Sequence, residues 1–116
     1  MWIKAMEIGE HVFFTTNDLP KKEDYGLRSQ LRRELVSIST NIAEVFGLSG
    51  NKDNAKFYNY SRGYAFETSS LLYYGLKVGY FINEVEKWIQ KNKKIIHELN
   101  KLKSFLLRPQ PHSQPQ

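Results

Sequence analysis

Between Leu27 and Val45 an aliphatic side chain returns every third or fourth residue: Leu27, Leu31, Leu35, Ile38, Ile42 and Val45. An α-helix brings residues to one face at that spacing, so this stretch predicts an amphipathic helix with one side committed to a core. Its opposite side is equally regular, with Gln30, Arg33, Ser37, Asn41 and Glu44 at steps of three and four. A helix of this kind gains most of its stability by packing, so it calls for neighbours that carry stripes of their own.

Three further segments supply them. From about residue 2 to 16, Trp2, Met6, Gly9, Val12 and Phe13 form a face, and Asn17-Asp18-Leu19-Pro20 ends it because proline disfavours helical geometry in the residue before it. The second helix spans about 25–46, with Gly47 as its stop and Ser49-Gly50-Asn51 as loop and next cap. The third spans about 51–79, with Phe57, Tyr60, Tyr64, Thr68, Leu71, Gly75 and Val78 on one face, widened by Ala65, Leu72 and Leu76. Gly63 and Gly75 cost this helix about 1 kcal/mol each against alanine, and are expected where a neighbouring backbone comes close. The fourth spans about 83–106, and Val85, Trp88, Ile89, Ile95, Ile96, Leu99, Leu102 and Leu106 cover an arc wider than one core needs. A second apolar contact, between protomers, would use the surplus. The short link from Gly79 to Asn83 makes the third and fourth helices antiparallel neighbours. The expected architecture is all-α, an antiparallel up-and-down four-helix bundle over residues 1–108, followed by a disordered tail over 109–116 (PQPHSQPQ). No segment alternates as a strand does, and 116 residues suit one domain.

Several function classes find no support in the residues. With no cysteine there is neither a disulfide nor a thiolate metal site. His11, His97 and His112 lie on separate segments without ligand spacing, so no metal or other cofactor is expected. No glycine-rich phosphate loop and no recognisable nucleophile–base arrangement appears, and the expectation is a protein that is not an enzyme. A carboxylate pair from Glu44 and Glu67, as in a nuclease, is the enzymatic alternative. The apolar run from Leu71 to Ile82 is short and broken by Lys77, while Glu7 and Glu10 interrupt any signal-like start. No membrane association and a cytoplasmic location are therefore expected.

Two groups of residues stand out as candidate sites. The first is the polar face of the second helix, Gln30, Arg33, Ser37, Asn41 and Glu44, read as a seam against another helix in which Glu67 of the third helix pairs with Arg33. A register-setting network is the main reading of this seam, and a functional pocket the alternative. The second is basic. Lys87, Lys94, Lys101 and Arg108 follow one another at seven-residue steps, Lys91 and Lys93 lie nearby, and Arg28, Arg32 and Arg33 cluster early in the second helix. With a net charge of +5 and a pI near 9.4, these residues form either a solvated outer face or a phosphate-tracking stripe for RNA or DNA. Six of the seven tyrosines fall between Tyr58 and Tyr80, where an interface or core-edge role outweighs base stacking.

The run Tyr25-Gly26-Leu27, then Gln30, Arg33 and Ser37-Ile-Ser-Thr-Asn-Ile-Ala-Glu44, resembles the 23S rRNA intervening-sequence proteins. The likeness continues through Phe46-Gly47, Phe57, Gly63 and Glu67 to the Gly79-Tyr80 turn. It implies an antiparallel four-helix bundle assembled as a homopentamer. Some members are encoded within insertions in bacterial 23S rRNA genes. The accessory variability determinants of diversity-generating retroelements are similar in fold and work with a reverse transcriptase and nucleic acid. Two positions depart from the family pattern: Val45 stands where glycine is usual and Leu48 where arginine is usual, which removes a basic residue from the loop after the second helix. The resulting expectation is a non-enzymatic homo-oligomer that binds nucleic acid through a repeated basic face. The alternative is an oligomeric scaffold for a protein partner, without nucleic-acid affinity of its own.

Overall fold

A computed structural model describes residues 1–45, 51–82 and 84–108, with the backbone alone at 51 and 52. It holds four helices: α1 (Trp2–Thr15), α2 (Leu27–Glu44), α3 (Asn51–Lys77) and α4 (Val85–Leu107), with 3-10 turns Thr16–Asp18 and Lys21–Glu23 between α1 and α2. The expected stop at Gly47, the loop at Ser49-Gly50, the start at Asn83 and the tail over 109–116 lie outside the described residues.

Local chemistry explains the helix ends. Leu19, preceding Pro20, is extended (φ −67°, ψ 146°), which carries the chain away from α1. Glu23 then marks the start of α2, its Oε1 accepting the Leu27 amide at 3.1 Å. At the far end of α3, Gly79 takes φ 84°, while the Tyr80 amide bonds the Gly75 carbonyl at 2.8 Å and the Gly79 amide bonds the Leu76 carbonyl at 3.2 Å. This is a Schellman stop, and it sends the chain back along the bundle.

Cross-helix contacts run in opposite directions along every adjacent pair. From α1 to α2, Gly9 lies against Leu35 and the later Thr16 against the earlier Arg28 and Arg32. From α2 to α3, Glu34 meets Glu67 while Ile38 meets Ser61. From α3 to α4, Asn59 meets Lys103 and Ala65 meets Asn92. From α1 to α4, Lys4 meets Glu98 and His11 stacks on Trp88. The helices are thus antiparallel in the cyclic order α1, α2, α3, α4.

The core draws on Ala5, Ile8 and Val12 of α1, Leu27, Leu31, Leu35, Ile38 and Ile42 of α2, Ala65 and Leu72 of α3, and the apolar arc of α4 from Val85 to Leu99. Two sequence-based faces are rotated from their expected position. In α1 the buried stripe is Ala5, Ile8 and Val12, whereas Trp2, Met6 and Phe13 stay exposed. In α3 the inward stripe is Ser61, Ala65, Thr68, Ser69 and Leu72, and Phe57, Tyr60 and Tyr64 sit at the edge or outside. Small side chains face inward because α3 is flanked by both α2 and α4, and bulky rings would hold those neighbours apart. Hydroxyls and amides at these positions bond across: Ser61 to the Ile38 carbonyl, and Asn92 Nδ2 to the Ala65 carbonyl (2.7 Å) and Ser69 Oγ (2.8 Å).

The two α3 glycines also differ from expectation. A Cβ at Gly63 would meet nothing within 4 Å, so no neighbour requires glycine there. A Cβ at Gly75 would run into the Phe81 ring, so the close approach is by an aromatic side chain and not by backbone.

Candidate nucleic-acid interface

Lys87, Lys91, Lys94 and Lys101 of α4, and Arg108 directly after its end, are all exposed. Their spacing keeps them within about one third of the helix circumference, on the side away from the Ile89–Asn92–Ile96 stripe. The face is not uniform along its length. Near its start, Lys87 and Lys91 lie over the Trp88 ring (5.7 and 4.8 Å), with His11 of α1 stacked on the same ring at 3.7 Å. Glu7, Glu10 and Phe14 complete a hollow of about 420 Å³ there, so acidic groups flank these two lysines. Midway, Glu98 is taken by Lys4 at 3.3 Å. Beyond it, Lys101 and Arg108 share a shallower hollow with His97, Asn100 and the exposed Phe105. Among the described residues the ion pairs are Lys4–Glu98 and Arg28–Asp24, and neither involves Lys87, Lys91, Lys94, Lys101 or Arg108.

Arg28 and Arg32 do not belong to this face. Arg28 pairs with Asp24, donates to the Leu19 carbonyl, and reaches the Thr16 carbonyl through Nε at 3.0 Å. Arg32 bonds Thr16 Oγ1 (3.0 Å), the Phe13 carbonyl (3.2 Å) and Asn17 Oδ1 (2.8 Å), and lies 4.1 Å over the Phe13 ring. Both guanidinium groups are thereby committed to the C-terminal end of α1, whose unpaired carbonyls and negative dipole end favour cations. The signal for this was in the sequence: nothing basic stands in the last turn of α1 itself, and the arginines follow at the start of the next helix.

The polar face of α2 is placed as expected along the helix but not against a neighbour. Gln30, Arg33 and Glu44 are exposed, Ser37 and Asn41 are half-buried, and Asn41 Nδ2 donates to the Ser37 carbonyl of its own helix at 2.7 Å. Arg33 does not form the anticipated ion pair with Glu67. Glu67 meets Glu34 instead, because Glu34, three residues after Leu31 and four before Ile38, lies on the inward stripe while Arg33 is turned a further 100° outward. Burial, then the neighbouring Glu67 carboxyl and its charge, raise the Glu34 carboxyl from its ordinary 4.5 to about 7, against a smaller opposing pull from Arg33. Glu34 and Asn92, like the inward Ser61 and Ser69, were overlooked by sequence reasoning, although Glu34 and Asn92 each stand at a stripe position where an aliphatic residue belongs.

Elsewhere, the Tyr80 hydroxyl donates to Glu23 Oε2 at 3.0 Å, tying the α3–α4 turn to the α1–α2 connection. The Glu23 carboxyl is lowered by the bond from the Leu27 amide and then by that from Tyr80. Among the described residues, no three His, Asp or Glu side chains gather as a metal ion requires, and no helix is long and apolar enough to cross a membrane.

Comparison with known proteins adds three findings. A search of curated proteins found no match. Among solved structures, the fold is similar to the crystal structure of a protein of unknown function from the S23 ribosomal protein family of Bacteroides thetaiotaomicron VPI-5482. The TM-score is 0.78 at 20% sequence identity, over 89% of this chain and 94% of that one. The family model described as 23S rRNA-intervening sequence protein matches residues 1–101, nearly the whole bundle, and the chain therefore belongs to the 23S rRNA-intervening sequence protein family.

Proposed function

We propose that this chain is the protomer of a non-enzymatic, cytoplasmic homo-oligomer that binds nucleic acid through the α4 basic face. The observation that carries the reading is the exposed line Lys87, Lys94, Lys101 and Arg108, none of which forms an ion pair among the described residues. Assembly would multiply that line around a ring, and multiplied weak phosphate contacts produce tight, salt-sensitive binding. The family resemblance implies a pentamer.

Fluorescence anisotropy with short RNA and DNA duplexes at about 50 and 200 mM salt tests this. Four phosphate contacts per protomer predict an affinity loss of about a hundredfold between those conditions. Charge reversal at Lys94 and Lys101 together is expected to abolish binding and leave the helical content unchanged. Absence of binding at the lower salt would refute the reading.

A second reading, a protein scaffold, draws on a different surface. Trp2, Ile3, Met6, Phe13 and Val36 line an apolar groove of about 640 Å³ between the outer sides of α1 and α2. Exposed apolar residues gathered in this way suit a protein contact better than a phosphate. Retention of a protein partner after nuclease treatment, with no anisotropy change on any oligonucleotide, would favour it.

A further inference from the structure

The Glu34 side chain is only 9% exposed, on the apolar stripe of α2, and no donor reaches its buried Oε2. A carboxylate left so is costly, since burial removes its water and nothing replaces it. The group opposite, on α3, is a second carboxyl, Glu67, which lies at the surface. We infer that Glu34 and Glu67 form a proton-dependent clasp between α2 and α3, in which protonated Glu34 donates its carboxyl hydrogen to the Glu67 carboxylate. Loss of that proton leaves two like charges facing each other, with one of them inside the bundle.

The surroundings do little to relieve that repulsion. Arg33, the next residue on α2, points outward and draws the Glu34 carboxyl down only in part. On α3, Arg62 bonds Asn59 and lies over the Phe66 ring. Of the charged residues of α1, Lys4 meets Glu98 and His11 stacks on Trp88, while Glu7 and Glu10 line both the hollow beside α4 and the groove beside α2 and, being acidic, offer Glu34 no counter-charge. From α4, the inward polar group is the neutral Asn92, which bonds Ala65 and Ser69.

The direction of the pH effect follows from the raised Glu34 carboxyl. In the unfolded chain it ionises near its ordinary 4.5, and in the bundle near about 7. The stabilisation contributed by the Glu34 proton is therefore complete below about 4.5, declines between there and about 7, and is absent above.

Urea unfolding of the full chain, with Glu34→Gln and Glu67→Gln, over about pH 4.5 to 8.5 is the test, because Gln keeps the shape and removes the titration. Relative to Glu34→Gln, the wild-type unfolding constant is expected to rise by up to about tenfold per pH unit up to about 7 and then level off. Carbon-13 NMR of the Glu34 carboxyl should show one titration near neutrality, moved to lower pH in Glu67→Gln. A wild-type to Glu34→Gln ratio that does not change with pH would overturn the inference. So would a Glu34 titration that ignores the loss of Glu67, since burial alone would then account for it.

Discussion

Gly63 and Gly75 occupy the same helix and differ only in what lies beyond their missing side chains. At Gly75 the Phe81 ring fills the space that a Cβ would need, and Phe81 is itself part of the core. Gly75→Ala must therefore displace an aromatic ring. It is expected to lower stability by about 1–3 kcal/mol even after the helix-propensity gain of about 1 kcal/mol. At Gly63 nothing stands in the way, so the same substitution should keep the propensity gain and raise stability by up to about 1 kcal/mol. Chemical denaturation of the two variants side by side tests the sign at each position. Asn92 is another single residue with a large structural role, as its amide nitrogen holds both Ala65 and Ser69 of α3.

At the scale of the element, α1 depends on α2 for its ending. It carries no basic residue in its last turn, and Arg28 and Arg32 of the following helix bond Thr16 and the Phe13 and Leu19 carbonyls. Arg32→Ala removes the bonds of Arg32 to Thr16, Phe13 and Asn17 and its packing on the Phe13 ring, and should cost about 1–2 kcal/mol. Amide hydrogen exchange should accelerate first around the end of α1. Arg32→Lys should recover little, because a single ammonium cannot reproduce the forked contacts to Thr16, Phe13 and Asn17. Neither variant should alter the salt dependence of any nucleic-acid binding, which separates these arginines from the α4 lysines.

The whole molecule is a rod of 59 × 22 × 19 Å. Its cross-section is two helices by two, so each helix keeps an outward side whatever its composition. Where α1 and α2 border one groove, part of that side is apolar: Val36 is 64% exposed and Ile3 65%, beside Trp2 and Met6. A monomer gains nothing from such a surface, whereas an assembly buries it. Light scattering at micromolar concentration should report a multiple of 13.6 kDa. The double variant Met6→Glu and Val36→Glu should shift the mass toward the protomer without loss of helical circular dichroism. A wild type that stays monomeric would remove assembly from the proposed function.

The residues by themselves determined the number of helices, their approximate extents and the inward stripe of α2, because those depend only on a 3.6-residue period and on breakers such as Leu19-Pro20 and Gly79. The seven-residue line on α4 was legible for the same reason. What only the tertiary structure decided was rotation and partnership. Trp2, Met6 and Phe13 share a face as their spacing requires, yet Ala5, Ile8 and Val12 are the ones inside, since fit between neighbouring helices outweighs the bulk of any one side chain. A turn of one residue likewise set Glu34 against Glu67 and left Arg33 outside. The Arg28 and Arg32 positive charges were plain in the chain, but whether they meet solvent or the end of another helix depends on a contact between residues distant in sequence. Local spacing carries no information about such a contact.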